Sequence, residues 1–284
     1  MEIFREPELL QKHILDKKRE GKIISLVPTM GYLHEGHLSL MREARKSGDI
    51  VIVSIFVNPT QFGPNEDLDK YPRDFEGDEA KCEKESVDII FYPTPENMYP
   101  ENYQTYVDVL EVTKNLCGAS RPTHFRGVTT VVAKLFNITL PDYAFFGEKD
   151  FQQLTVIKRM VSDLNFPVNI IGCPIVREDD GLAMSSRNKY LSKEERVQAL
   201  CLYNSIKRVK ELFENGEHNV SSLIKEARSI IDRESLANID YIKIVDIETM
   251  EDVEEIEKDA LIALAVKIGN TRLIDNCKLL LSSL

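Results

Sequence analysis

The chain has 284 residues, 43% hydrophobic and 29% charged. That is the profile of a globular protein with material for one large domain or two smaller ones, not of a fibrous or disordered chain. Its 36 Lys and Arg against 47 Asp and Glu give a net charge of −11, which argues against nucleic acid as the main partner while leaving room for a small anion in a local basic pocket.

No stretch approaches the ~18 apolar residues of a membrane span. The beginning, "MEIFREPELLQKH", is charged and has no signal-peptide core. Cys82, Cys117, Cys173, Cys201 and Cys277 are scattered without a C-x-x-C pair. They predict neither a zinc site nor a disulfide framework, but reduced thiols in a cytoplasmic protein.

In chain order, residues 7–19 read as a helix, with Pro7 at its start and Gly21 past its end. "KIISLV" (22–27) reads as a buried strand, "GHLSLMREARKSG" (36–48) as a helix, and "DIVIVSIFVN" (49–58) as a strand apolar on both faces. A helix over 78–86, a strand over 87–92, a helix over 127–140 and a strand over 142–147 follow. A helix over 151–164 and a strand over 167–176 complete the pattern. This alternation predicts an α/β fold: a Rossmann-like parallel sheet with helices on both faces. Beyond residue 184 the texture changes to amphipathic helices at 192–216 and 220–234, then strands in "DYIKIVDIETM" and "ALIALAVKIG". The expectation is a first domain over 1–184 and a smaller α+β domain over 185–284.

Ligands of such sheets bind beyond the carboxyl ends of the strands, and there the unusual residues gather. "PTMGYLHEGH" carries His34 and His37 around Gly36, at a predicted helix start whose N–H groups suit a phosphate. The i, i+3 spacing of the histidines is not that of a zincin helix, and no metal ligand is assigned. "NPTQFG" offers the neutral amides Asn58 and Gln61, able to read a carboxylate or hydroxyl without adding charge. "SRPTHFRG" offers Arg121 and His124 for anion contacts, with Arg126 read as surface polarity. "FFGEKDFQQL" places Gly147, Lys149 and Gln153 after a strand, and Asp150 where it could cap a helix. "REDDGLAMSSRNKYLS" brings Ser185, Ser186 and Arg187, hydroxyl and guanidinium donors suited to polyphosphate.

These five motifs, in this order and spacing over residues 20–192, resemble the pantoate–β-alanine ligase (pantothenate synthetase) family. The first is similar to the H-x-G-H element of nucleotidylyltransferases, and "MSSR" to the mobile lysine-rich loop of class I aminoacyl-tRNA synthetases. The resemblance implies ATP-dependent condensation of (R)-pantoate with β-alanine through a pantoyl adenylate, releasing pyrophosphate and then AMP. It implies that Met30, Gly31, Tyr32, Leu33, His34, Glu35, Gly36 and His37 line the ATP site. Gly147, Glu148, Lys149, Asp150, Val176, Met184, Ser185, Ser186 and Arg187 join them. His34, His37, Lys149, Ser185, Ser186 and Arg187 would act in catalysis, with His37 in the family's proton-donor position. Gln61 and Gln153 would hold pantoate, with Gln61 also near β-alanine; Asn58 and Arg121 are further candidates for substrate contact. Mg2+ would accompany ATP, held mainly by phosphates and water. A homodimer is also implied, with the second domain and the Ser185–Arg187 loop acting as a lid over ATP. Tyr32 and Thr123 stand where smaller residues are common in the family, and Cys117 where some relatives have an acidic one. Cys117 is given no role.

Overall fold

The computed structural model describes residues 1–64 and 66–281. Its elements begin with β1 (Glu2–Phe4), α1 (Pro7–Arg19), β2 (Ile24–Thr29), α2 (Glu35–Ser47) and β3 (Ile50–Ile55). A 3-10 turn at Pro59–Gln61 follows, then α3 (Phe75–Lys84), β4 (Ile89–Phe91) and the short α4 (Pro95–Met98) and α5 (Leu116–Ser120). Next come α6 (His124–Thr139), β5 (Tyr143–Gly147), a 3-10 turn at Glu148–Asp150, α7 (Phe151–Asp163) and β6 (Asn169–Cys173). A 3-10 turn at Ser186–Tyr190 leads into α8 (Lys193–Gln198), α9 (Leu200–Glu214), α10 (Val220–Ile231), β7 (Ala237–Asp246), β8 (Ala260–Ile268) and β9 (Thr271–Leu279).

The chain forms two compact units. The first takes Met1–Leu110, Arg121–Glu148 and Gln153–Pro174; the second takes Glu111–Ser120, Lys149–Gln152 and the chain from Ile175 onward. The boundary expected after residue 184 falls inside the second unit.

The first unit holds a parallel sheet in the order β1-β4-β3-β2-β5-β6. The chain steps one way from β2 through β3 to β4, then crosses back to β5 and β6 on the other side of β2. With right-handed crossovers, α2 and α3 therefore cover one face and α6 and α7 the other. β2 and β3 carry buried residues on both faces, which is why they read as continuous apolar runs. Leu40, Met41 and Ala44 of α2 pack with Val27, Val51, Val53, Ile90 and Phe145 of the strands. β1 escaped the sequence reading because three residues carry no period; it pairs residue by residue with β4, Glu2 opposite Ile89. α6 is helical despite its β-branched residues because it is buried along most of its length. The Thr129 and Thr139 hydroxyls donate to the carbonyls four residues back, at 2.8 and 2.9 Å.

The second unit is built on the antiparallel sheet β7-β8-β9. Leu202, Ile206, Val209 and Phe213 of α9 join Leu223, Ala227 and Ile231 of α10 over Ile242, Ile244, Ile262 and Leu264. The single helix expected over 192–216 is two, interrupted at the fully buried Ala199. Ser192 caps the first of them in a reciprocal box with Glu195. β9 was not foreseen, because Asp275 and Asn276 interrupt its apolar alternation while being buried themselves.

Candidate active site

β2 and β5 are neighbours in the sheet, with Leu26 opposite Ala144. The direction of winding reverses between them, so their carboxyl ends form the topological switch point where ligands of open α/β sheets bind. "MGYLHEGH" leaves the end of β2, and "GEKD" leaves the end of β5.

At the end of β2 the backbone turns through two successive left-handed residues, Gly31 (φ 81°) and Tyr32 (φ 52°). Glycine suits the first of these; tyrosine is disfavoured at the second. Two short bonds hold the turn: Tyr32 N–H donates to Asp78 Oδ2 and Leu33 N–H to Asp78 Oδ1, each at 2.7 Å. Asp78 is 1% exposed. Burial pushes its carboxyl above the ordinary value, while the Leu33 and Tyr32 N–H groups and Lys81 pull the other way. Sequence reading missed Asp78, since "DEAKCEKES" reads as a solvated helix.

His34 then caps α2. Gly36 N–H donates to His34 Nδ1 at 3.2 Å, and His34 N–H donates to His37 Nδ1 at 3.3 Å. A ring nitrogen that accepts from a backbone N–H carries no proton, so each ring has its N–H at Nε2. The two rings lie 4.1 Å apart between centroids. Gly31, Tyr32, Leu33, His34, Gly36, His37 and Leu38 all spend their N–H groups inside the protein. These N–H groups at the start of α2 are thus already engaged within the protein, and the side chains of the motif are its remaining donors.

Beside the turn lies an amide network. Asn58, 1% exposed, donates to Gln61 Oε1 at 3.0 Å and to Gly127 O at 3.1 Å. Its Oδ1 accepts from Thr60 Oγ1 and Tyr99 Oη, at 2.9 and 2.8 Å. Both ends of that amide are occupied, so Asn58 orients Gln61 rather than offering itself to a ligand. Gln61 Nε2 is turned toward Met30 Sδ, 3.2 Å away. Gly127 lets α6 approach this turn: a Cβ there would stand 2.3 Å from Thr60 O.

Arg121 is likewise committed, gripping Glu66 with two bonds of 2.7 and 2.6 Å. It also reaches His124 Nε2 at 3.0 Å, while His124 Nδ1 donates to Gln61 O at 2.8 Å. Burial alone would raise the Glu66 carboxyl; Arg121 and the Gly63 N–H outweigh it and hold it below the ordinary value. The expected anion partner of Arg121 is thus met by an internal carboxylate. Arg126 lies over the Tyr106 ring at 4.3 Å, in keeping with a surface role. Gly147 ends β5, Glu148 opens the 3-10 turn that follows, and Gln153 sits half-buried on the first turn of α7.

Lys149, Asp150, Val176 and Met184 to Arg187 belong to the second unit. There "VREDDGLAM" folds as a hairpin: Arg177 bridges Ala183, and Met184 N–H donates to Val176 O at 3.0 Å. Gly181 at its tip (φ 96°) faces the Tyr203 ring, 2.2 Å from where a Cβ would stand. Arg177 forks onto Asp275 at 2.7 and 2.9 Å, and the next residue, Asn276, donates to Lys149 O at 2.8 Å. β9 therefore brings the Lys149 turn and the hairpin together. Arg196 binds Glu178 and Asp180, and Asn188 also donates to Glu178. The acidic turn is consumed in holding the hairpin. Ser185 Oγ caps the following 3-10 turn by accepting from Arg187 N–H at 3.2 Å.

The sequence of residues 2–278 matches the pantoate–β-alanine ligase family model. A pantothenate synthetase from Sulfurihydrogenibium sp. is 58% identical over 277 residues, covering 97% of this chain and 99% of that one. One from Geobacter sulfurreducens is 59% identical over 270 residues, 95% of each chain. The crystal structure of pantothenate synthetase from Thermus thermophilus superposes with a TM-score of 0.94 at 42% identity, covering 99% of this chain and 100% of that one. The Francisella tularensis pantoate–β-alanine ligase, solved in complex with beta-gamma ATP and β-alanine, gives 0.80 at 36% identity over 98% of each chain. With the motifs, the sheet order and nearly the whole length in agreement, the chain belongs to the pantoate–β-alanine ligase family.

Proposed function

We propose that this protein is an AMP-forming ligase that joins (R)-pantoate to β-alanine at the expense of ATP, making pantothenate, a coenzyme A precursor. The observation that carries the reading is the pairing, beyond the carboxyl ends of the neighbouring parallel strands β2 and β3, of two imidazoles fixed as Nε2–H donors with a neutral amide, Gln61, oriented by Asn58. The first suits phosphate oxygens, and the second suits a hydroxy acid that must keep its carboxylate free to react.

In the first step a pantoate carboxylate oxygen attacks the α-phosphorus; the P–O bond to the β-phosphate breaks and pyrophosphate leaves. In the second, the β-alanine amine attacks the acyl carbon, loses a proton, and AMP departs with the electron pair of the acyl–oxygen bond. No protein nucleophile is needed. Charge builds on phosphate oxygens, so the chain's contribution is positioning and donor placement. His34 and His37 donate from Nε2, with His37 at the developing charge. Lys149, Ser185, Ser186 and Arg187 serve the same triphosphate, and Gln61 and Gln153 hold pantoate. Backbone and side chains of Met30 to Leu33, Glu35, Gly36, Gly147, Glu148, Asp150, Val176 and Met184 line the nucleotide.

Among the described residues no group of three or more His, Cys, Asp or Glu could hold a metal ion. Mg2+ enters this reading only as a companion of ATP, with phosphate oxygens and water as its main ligands. The reading extends to a cytoplasmic homodimer in which residues 185–284 act as a lid and the Ser185–Arg187 loop closes over bound ATP; ATP should then protect that loop from protease. Among the described residues no helix is long and apolar enough to cross a membrane.

The test is stoichiometric. Pyrophosphate exchange should require pantoate alone, and AMP release should require pantoate and β-alanine together. A phosphorylated acceptor yielding a stable adenylyl product instead would overturn the ligase reading.

A further inference from the structure

We infer that Asp78 is a positioning residue of the adenylation step: its carboxylate, reaching in from α3, sets where the His34 and His37 imidazoles present their Nε2–H groups. The inference rests on the ligase reading for the reaction it names.

Three observations carry it. Successive backbone N–H groups in a turn can face one side and form a concavity that attracts anions, and here the Tyr32 and Leu33 N–H groups converge on one carboxylate. Such a pair follows β2, where a phosphate would be the expected guest, but the two oxygens of Asp78 fill it with bonds of 2.7 Å each. Second, the bonded residues adjoin the histidine cap directly. Leu33 precedes His34, whose own N–H donates to His37 Nδ1, so rotation of the Tyr32–Leu33 peptide carries both rings with it. Third, Asp78 stands at the open side of the turn, while Leu33 anchors the other side in the core. A cavity of about 220 Å³ is bounded by Met30, Gly31, Phe75, Asp78 and Tyr92, with Arg5 over the Phe75 and Tyr92 rings. On the side of the turn that faces α3 the carboxylate bonds two successive amides, with Gly31 lying close enough that a Cβ would stand 3.0 Å from Asp78 Oδ2.

The residue type follows from the geometry. Two adjacent N–H groups need two acceptor atoms at carboxylate spacing. An asparagine supplies one acceptor and sets its NH2 against the second N–H, so Asp78→Asn keeps the shape and breaks half the grip. Filling the pair internally has a second effect: a triphosphate is denied these amides and must be read by imidazole, ammonium and guanidinium groups, whose positions then decide the rate.

The experiment compares wild type with Asp78→Asn by pantoate-dependent ATP–pyrophosphate exchange and by nitrogen-15 spectra of the histidine rings. The expected result is a kcat lower by roughly tenfold or more, as for a small misplacement of reacting groups. KM for ATP should move by less than about threefold, and the His34 and His37 ring signals should shift. Unchanged ring signals, or a rate that falls only with the folded fraction, would overturn the inference. Should the variant not fold, hydrogen exchange in the wild type decides: Tyr32 and Leu33 amides that exchange as slowly as those of β2 support it, and exchange at open-loop rates refutes it. Absence of pantoate-dependent exchange in wild type would defeat the ligase reading instead, leaving ring signals and amide protection to judge Asp78.

Discussion

The histidine turn of the first unit and the Ser-Ser-Arg hairpin of the second offer similar donors by opposite construction. The turn is fixed through its backbone: left-handed residues, spent amides and imidazoles that cap a helix. The hairpin is fixed through charged side chains, Arg177 to Asp275 and Arg196 to Glu178 and Asp180. Backbone construction limits the cost of removing a functional side chain to the one capping bond it makes. Charge construction makes stability depend on groups outside the functional motif.

The sharpest way to break that contrast is Asp275→Asn. Asp275 is 2% exposed and is gripped by both terminal nitrogens of Arg177. Losing its charge leaves a partly buried guanidinium uncompensated, at a cost of about 3 kcal/mol. Calorimetry should show a melting temperature lower by roughly 10 °C for a chain of this size, and an unchanged melt would mean that the hairpin is not held by charge. His37→Ala should do the reverse. Losing the one capping bond that His37 accepts should lower its melting temperature by only a few degrees, while adenylate formation slows by about 10²-fold or more; Lys149→Ala should match it in rate. Full activity in both would remove His37 and Lys149 from the groups that carry the adenylation step.

Gly127→Ala sharpens the comparison within the first unit. Its methyl would collide with the Thr60 carbonyl, costing about 1–3 kcal/mol and displacing Gln61. A raised KM for pantoate with a smaller change in KM for ATP is the expected split; equal changes would argue against Gln61 as a pantoate contact.

The smallest effect concerns acid. The Glu66 carboxyl is held below the 4.5 of an ordinary glutamate, so its pairing with Arg121 stabilises the fold fully above that value. The contribution disappears as the pH falls through the lower, folded-state value. Half-exposed pairs contribute below about 1 kcal/mol. Glu66→Gln should therefore lower the urea midpoint slightly at pH 7 and converge with wild type in acid. Divergence growing toward low pH would show the sign to be wrong.

The parallel sheet was legible in the chain because strands buried on both faces are apolar without interruption, and the donor motifs because they follow those strands. What escaped was long-range pairing. Nothing local in "DEAKCEKES" says that Asp78 reaches back 45 residues to the histidine turn. Nothing in "SRPTHFRG" says that Arg121 is spent on Glu66. Polar residues inside β9 disguised a buried strand for the same reason: Asp275 is tolerated there only because Arg177, far off in sequence, answers it.

The two units are interleaved in sequence, since the second borrows Glu111–Ser120 and Lys149–Gln152 from the midst of the first. Within it, Gln152 receives the Cys117 N–H and Asn276 binds the Lys149 carbonyl. A gene cut at residue 174 or 184 would therefore strand these pieces on the wrong fragment. A fragment beginning at either cut would lack the Cys117 and Lys149 backbone groups that Gln152 and Asn276 bind in the intact chain.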